Sequence, residues 1–184
     1  MKSIAATPKS VAPIDPVRDP AKDFHPAGSL VSSANQGATN WPPPAFNPGT
    51  GLMYVPTQDS YAMYYLTELD PRGAMGLGGK EEIALGTVRS YISAIDYKTG
   101  KTVWKHVYPS LGGNLGSGML TTAGGLLFAG DVSGNIVGYD ASNGKILWHA
   151  RLGNVSNAPQ TYMLDGKQYV LVAAGDQLFS FYLQ

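Results

Sequence analysis

The 184-residue chain has no cysteine, which rules out disulfides, Cys-ligated zinc and a thiol nucleophile within it. It is also short of charge, with Asp, Glu, Lys and Arg making 14% of the residues and a formal net charge of zero. No Lys/Arg run or basic stripe is present, so the composition offers no nucleic-acid surface. No run of about 18 apolar residues occurs, which leaves no transmembrane helix to expect. The first twenty residues, MKSIAATPKSVAPIDPVRDP, lack the apolar core of an ordinary secretory signal. Helix start signals, heptads and long apolar stripes are missing as well.

What the chain does have is glycine (23), proline (13) and a pattern written twice. Residues 92–104 read ISAIDYKTGKTVW and residues 136–148 read IVGYDASNGKILW. Ile92, Asp96, Gly100, Lys101 and Trp104 recur as Ile136, Asp140, Gly144, Lys145 and Trp148, each 44 residues on. Such a period marks a repeat architecture, and about 40–45 residues is the length of one four-stranded propeller blade. Each copy reads as strand, turn, strand. Asp96 and Asp140 are placed to accept backbone N–H bonds in the turn, and Gly100 and Gly144 to supply a positive φ. Trp104 and Trp148 fall mid-strand, where a large ring can pack between sheets.

The cycle continues in Gly86-Thr87, Gly130-Asp131 and Gly175-Asp176, at steps of 44 and 45. QLFSFYLQ then aligns with the NIVGYD strand, without the turn Gly, the Trp or a closing strand. An exposed sheet edge is therefore expected, to be completed by another segment or left unfinished in this fragment. Strands are expected on both sides of a turn at residues 47–51, at 60–66, and in GGLLFAG, PQTYML and KQYVLVAAG, the last two joined by an Asp165-Gly166 hairpin. Residues 67–86 read as a Gly-rich loop, and residues 1–28 as a Pro-rich irregular lead-in to a partial β-propeller over 29–184. The fold class is thus all-β, with about four blades.

Several constellations fail on spacing. His25, His106 and His149 lack metal-ligand spacing, and the last two read as surface or edge positions. Asp15, Asp19 and Asp23 lie in a Pro-interrupted stretch and share no helix face. Glu68, Asp70, Glu81 and Glu82 flank the Gly-rich loop without a spacing that supports acid–base work. Gly76–Lys80 is followed by Glu81, not by the Ser or Thr of a phosphate loop. Ser117, between Gly116 and Gly118, has no His placed to activate it.

The ordered set GATNWPPPAFNPGTGLMYVP, AIDYKTGKTVW, LTTAGGLLFAGDVSGNIVGYDASNGKILW and PQTYMLDGKQYVLVAAG resembles the C-terminal part of the pyrroloquinoline quinone (PQQ)-dependent alcohol and methanol dehydrogenases. The resemblance covers about residues 30–184. It implies late blades of an eight-bladed propeller carrying tryptophan-docking repeats. PQQ and Ca²⁺ would sit on the axis of the complete protein, and the location would be periplasmic. It implies oxidation of an alcohol, with an Asp general base, hydride transfer to the quinone and calcium as Lewis acid. Asn40 and Trp41 match the family's quinone-contacting Asn-Trp motif, so Asn40 is the expected contact and Trp41 its packing neighbour. For Asn40, capping of a turn before the Pro run is an equally good reading. Trp104 and Trp148 match structural docking positions. The implied partners are the remaining half of the propeller or a second copy, an alcohol and an electron acceptor.

The chain also departs from the family. PSLGGNLGSGML has no aromatic where a cofactor-facing Trp is common, Asn114 or Leu115 standing near that place. Ala174-Gly175-Asp176 runs straight into QLFSFYL without a Gly/Trp-rich loop. The family's calcium ligands, catalytic Asp and vicinal cysteines match nothing here, so no catalytic or metal residue is assigned. These departures keep a second reading open, a non-enzymatic propeller scaffold or cofactor-free quinoprotein-like domain.

Overall fold

The computed structural model describes residues 29–34, 36–66, 80–108 and 115–182. The expected lead-in (1–28), most of the expected Gly-rich loop (67–79) and Asn114 lie outside the described residues. Twelve strands are described: β1 Ser29–Ser32, β2 Ala45–Asn47, β3 Leu52–Leu66, β4 Lys80–Asp96, β5 Thr102–Val107 and β6 Met119–Thr121, then β7 Leu126–Gly130, β8 Asn135–Asp140, β9 Ile146–Arg151, β10 Gln160–Leu164, β11 Lys167–Ala174 and β12 Gln177–Tyr182. They form three antiparallel sheets, as expected of an all-β chain built from propeller-type blades. β6-β7-β8-β9 is four-stranded and β10-β11-β12 three-stranded. The first sheet runs β1-β3-β4-β5 with β2 also on β3.

Two strands are longer than their sequence suggested. LMYVP and SYAMYYL, read as separate strands, are one continuous β3. Residues 80–86, read as loop, are the first part of β4, a correction to the loop boundary. The run KEEIALGT mixes charges with isolated apolar residues, so its strand character is fixed by pairing rather than by alternation.

The chain divides into two compact units. In the smaller one, made of residues up to Ala38 and 59–86, β1 pairs with the outer part of β3 (Ser29 opposite Tyr64, Ser32 opposite Tyr61). Ala62 is buried there, and Ser60 Oγ accepts the Ala34 N–H at 3.1 Å.

The larger unit, residues 39–58 and 87–184, holds the two pattern copies. Their turns are built alike. Asp96 N–H donates to Lys101 O at 2.9 Å and Gly100 N–H to Asp96 O at 2.8 Å. Asp140 N–H and Gly144 N–H make the matching bonds to Lys145 O and Asp140 O, both at 2.8 Å. Gly100 and Gly144 have φ of 69° and 75°. Each copy carries a register shift just before its Asp, between Ala94 and Ile95 and between Gly138 and Tyr139. Such a bulge re-aims the following strand. Asp165 and Gly166 both have positive φ (49° and 72°), so the expected β10–β11 hairpin is a tight primed turn.

The core of this unit lies between the sheets. Leu52, Tyr54, Ile92 and Ala94 of the first sheet meet Leu127, Ala129, Val137, Tyr139 and Ala141 of the second. On its far side the second sheet presents Ile136, with Phe128 and Ala150, to Val172, Ala174, Phe179 and Phe181 of the third. Alternating in/out side chains let the middle sheet bury both faces.

Candidate functional site

Three lead-ins to first strands converge in the larger unit. Met119 N–H donates to Pro43 O at 3.0 Å. A Cβ on Gly118 would stand 2.6 Å from Pro43 Cδ and 2.7 Å from Ala158 Cβ, so only glycine fits where the three segments touch. Pro43, Gly118 and Ala158 stand one or two residues before β2, β6 and β10. Each sheet thus delivers its first strand to one place.

Ser117 fastens this junction from beneath. It is fully buried, its Oγ donates to Gly118 O at 2.6 Å, and Gly130 N–H donates to Oγ at 2.6 Å. A hydroxyl spent in this way is a tie between β6 and β7, in line with its rejection as a nucleophile. Gly116 has φ 77°, and a Cβ there would lie 3.0 Å from both Gly130 O and the Tyr108 hydroxyl. Leu115 is buried.

Asn40 and Trp41 lie three and two residues before Pro43. Both are exposed, Trp41 to 66%. Trp41 N–H donates to Asn40 Oδ1 at 2.8 Å, so Asn40 does shape its own turn ahead of the Pro run. Pro42 is buried, which anchors the pair at its base. On the third lead-in Pro159 is buried and Asn157 exposed. The sequence reading singled out Asn40 and passed over Ser156 and Asn157. Counting residues back from each first strand was the signal that would have found them.

Residues 40–44, 115–119 and 155–159 contain no ionisable side chain. Among the described residues no group of three or more His, Asp or Glu is placed to hold a metal ion. This face can offer amide hydrogen bonds and a flat aromatic surface, and it supplies no acid, base or carboxylate. Its amides and exposed indole are groups of the kind that can line one side of a planar quinone, and it brings no carboxylate to hold a calcium ion.

A second convergence joins the first two sheets away from this face. Trp104 Nε1–H donates to Ala141 O at 3.1 Å, and Tyr54 O–H donates to the same carbonyl at 2.9 Å. A Cβ on Gly144 would meet the Trp104 ring at 2.7 Å, so the indole lies directly on that glycine. Among the described residues Trp148 has no such seat. It is 39% exposed and meets Phe181 edge-on at 5.1 Å. Burial raises the Tyr54 hydroxyl pKa, partly offset by its hydrogen bond with Thr50.

His106, read as a surface or edge residue, lies on the outermost strand β5 and is half-buried there, edge-on to Tyr139 at 5.0 Å and Tyr108 at 5.8 Å. Burial lowers its pKa, against an opposing pull from Asp131. Tyr139 and Tyr108 are both pushed up, chiefly by burial. His149 is exposed, as expected of an edge.

Residues 88–182 match the family model described as outer membrane protein assembly factor BamB. The chain belongs to that family of repeat proteins. It is also homologous, over most of its length, to PQQ-dependent quinoprotein alcohol dehydrogenases. It is 33% identical over 168 residues to the quinohemoprotein alcohol dehydrogenase ADH IIB of Pseudomonas putida, covering 87% of this chain and 24% of that one. It is 36% identical over 166 residues to the quinoprotein alcohol dehydrogenase PedH of the same species, covering 85% and 26%. Among solved structures, the quinohemoprotein alcohol dehydrogenase ADHIIG of Pseudomonas putida HK5 superposes with a TM-score of 0.70 at 30% identity, covering 82% and 24%. A europium-containing methanol dehydrogenase gives 0.63 at 31%, covering 76% and 25%. The chain therefore spans about a quarter of the length of these relatives.

Proposed function

We propose that this chain is part of a PQQ-dependent alcohol dehydrogenase, supplying late blades of an eight-bladed propeller and one wall of the quinone pocket. The observation that carries the reading is the homology to quinoprotein alcohol dehydrogenases over more than four-fifths of the chain. In this reading Asn40 donates its amide to the quinone, and Trp41 offers the exposed ring beside it. When bound, the quinone takes up the hydride of the alcohol. The calcium ligands and the base that removes the alcohol proton come from the rest of the ring, as do contacts to the electron acceptor. Trp104 acts as a blade-locking, tryptophan-docking residue. The complete protein works in the periplasm.

The test is titration of the protein with PQQ in the presence of Ca²⁺, read by quinone absorbance and alcohol-dependent dye reduction. Asn40→Ala is expected to weaken quinone retention by about ten-fold, the scale of one hydrogen bond. No quinone spectrum and no dye reduction in the complete protein would end the enzymatic reading.

One observation favours a second reading, a cofactor-free propeller scaffold: the matching family model carries the description of an assembly factor. On that reading Asn40→Ala leaves every measured property unchanged except local turn stability.

A further inference from the structure

Two dipeptides in the chain place an Asn or Asp side chain before a glycine, Asn143-Gly144 and Asp165-Gly166. That order opens the backbone to one reaction. The glycine N–H is unhindered, and its permissive backbone lets the nitrogen reach the side-chain carbonyl carbon of the residue before it. In an unstructured chain Asn-Gly reacts faster than Asp-Gly, because an ionised carboxylate is the poorer electrophile. The fold treats the two dipeptides in opposite ways.

Asn143-Gly144 is tied down at both residues. Gly144 N–H, the nucleophile, donates to Asp140 O at 2.8 Å. Asn143 donates from Nδ2 to Asp140 Oδ2 at 3.0 Å, and its Oδ1 accepts the Lys145 N–H at 2.9 Å. The Trp104 ring lies 2.7 Å from where a Gly144 Cβ would stand. The nitrogen and its target are both engaged elsewhere, and the turn cannot flex without lifting an indole. Asp165-Gly166 has none of these ties. Both residues are exposed at the tip of the β10–β11 hairpin. Among the described residues the Gly166 N–H has no acceptor and the Asp165 carboxylate no partner. Nothing lies within 4 Å of a Cβ built on Gly166. Asp165 is the one non-glycine residue with positive φ among those described, at 49°. β10, which leads into the turn, is exposed along all 5 residues, so little packing resists movement there.

We propose that Asp165-Gly166 is a site of spontaneous isoaspartate formation in the folded protein, and that the Trp104 seat holds Asn143-Gly144 out of the same chemistry. The Gly166 amide nitrogen attacks the Asp165 carboxyl carbon in its acid form. The N–Cγ bond forms, the carboxyl hydroxyl leaves with the amide proton as water, and a five-membered succinimide results. Water then opens the ring. Opening at the main-chain carbonyl leaves the chain running through Cγ, with a free α-carboxylate. One water leaves and one enters, and no oxidant takes part. The product carries an extra main-chain methylene inside a two-residue turn that depends on two successive positive φ values. The Leu164–Lys167 pairing that closes the hairpin is disturbed, and β10 loosens. The new α-carboxylate is the group that isoaspartyl methyltransferases recognise.

The probe is protein L-isoaspartyl methyltransferase with labelled S-adenosylmethionine, applied to the 184-residue protein after prolonged incubation at neutral pH. Labelled peptides are then mapped by mass spectrometry. Label is expected in the peptide carrying Asp165. It is expected to be lost in Asp165→Glu, whose longer side chain would have to close a six-membered ring. The Asn143 peptide is expected to keep its mass in the folded protein. In Trp104→Ala it should gain the mass of deamidation about ten-fold faster, the scale of one freed hydrogen bond. Circular dichroism checks that both variants fold. The wild-type protein unfolded in guanidinium gives a second measurement, in which Asn143 is expected to react before Asp165. No label at Asp165, or Asn143 reacting first in the folded wild-type protein, overturns the proposal. An Asn143 rate that neither Trp104→Ala nor unfolding raises overturns the protective role of the indole. None of these measurements involves the quinone, so failure here leaves the enzymatic reading standing.

Discussion

Trp104 and Trp148 occupy the same step of the same repeat, yet the structure treats them differently. Both sit in the second strand after an Asp–Gly turn, opposite a small residue, Ala94 for one and Gly138 for the other. Trp104 has its N–H bonded and its ring laid on Gly144, while Trp148 stays partly exposed with one edge contact to Phe181. Neither the residue nor its own sheet makes the lock. The next sheet's turn makes it, by presenting a carbonyl and a glycine face together.

The largest expected effect follows from that contrast. Trp104→Ala should cost about 3 kcal/mol of unfolding free energy, from lost packing and two disturbed hydrogen-bond partners. Trp148→Ala should cost about 1 kcal/mol, the value of one aromatic pair on a half-open surface. Urea unfolding of both variants checks this, and equal midpoints would erase the distinction between the two positions.

The second contrast lies between the turn glycines. Gly144→Ala meets both a positive φ and the Trp104 ring, so about 2–3 kcal/mol is expected. Gly100→Ala has a similar φ of 69° with nothing within 4 Å of the new methyl, so about 1 kcal/mol should suffice. Comparing their melting temperatures isolates the contribution of the ring contact. If the two shifts agree, the indole does not bear on Gly144.

The third concerns His106 between the first two sheets, set against exposed His149. The folded state lowers the His106 pKa, so below its ordinary value of about 6.5 the unfolded chain binds more protons. Stability from this group is present above that pH and falls as pH drops toward the folded value. His106→Phe should flatten the stability profile across this window while keeping the edge-on contacts to Tyr108 and Tyr139. An unchanged slope would assign the titration elsewhere.

The smallest effect belongs to the turn carboxylates. Asp140 is held below the usual carboxylate pKa chiefly by the Ser142 hydroxyl and N–H, and Asp96 by the Thr99 N–H. Their contribution is present at neutral pH and lost as pH falls through the lowered folded values. Asp140→Asn should reduce the acid-side slope slightly, its cost to the melting temperature shrinking only as pH falls below the ordinary carboxylate value of about 3.9. A larger loss at pH 4 than at pH 7 would contradict this assignment.

The repeat was legible because its turns are local. Asp96, Gly100, Asp140 and Gly144 make their bonds within five residues, so residue type and spacing suffice to locate them. The merging of residues 52–66 into one strand was not legible, because Pro56 and Asp59 interrupt the apolar alternation and pairing with neighbouring strands overrides them. At the candidate site, family likeness picked out Asn40 and Trp41. The participation of Gly118 and Ala158 is a contact between segments far apart in the chain, invisible to any window of neighbours. The half-burial of His106 was not legible for the same reason, since Tyr139, which faces it, comes from another sheet.

By itself, the sequence determined the all-β class, the 44-residue step, the turns that close on their own residues and the absence of cysteine chemistry. Those follow from backbone preference and composition, which act over a few residues. Only the tertiary structure decided which tryptophan is seated, which glycines have no room for a side chain, and that three lead-ins meet at Gly118. Those depend on surfaces brought together across sheets, where close packing decides what fits.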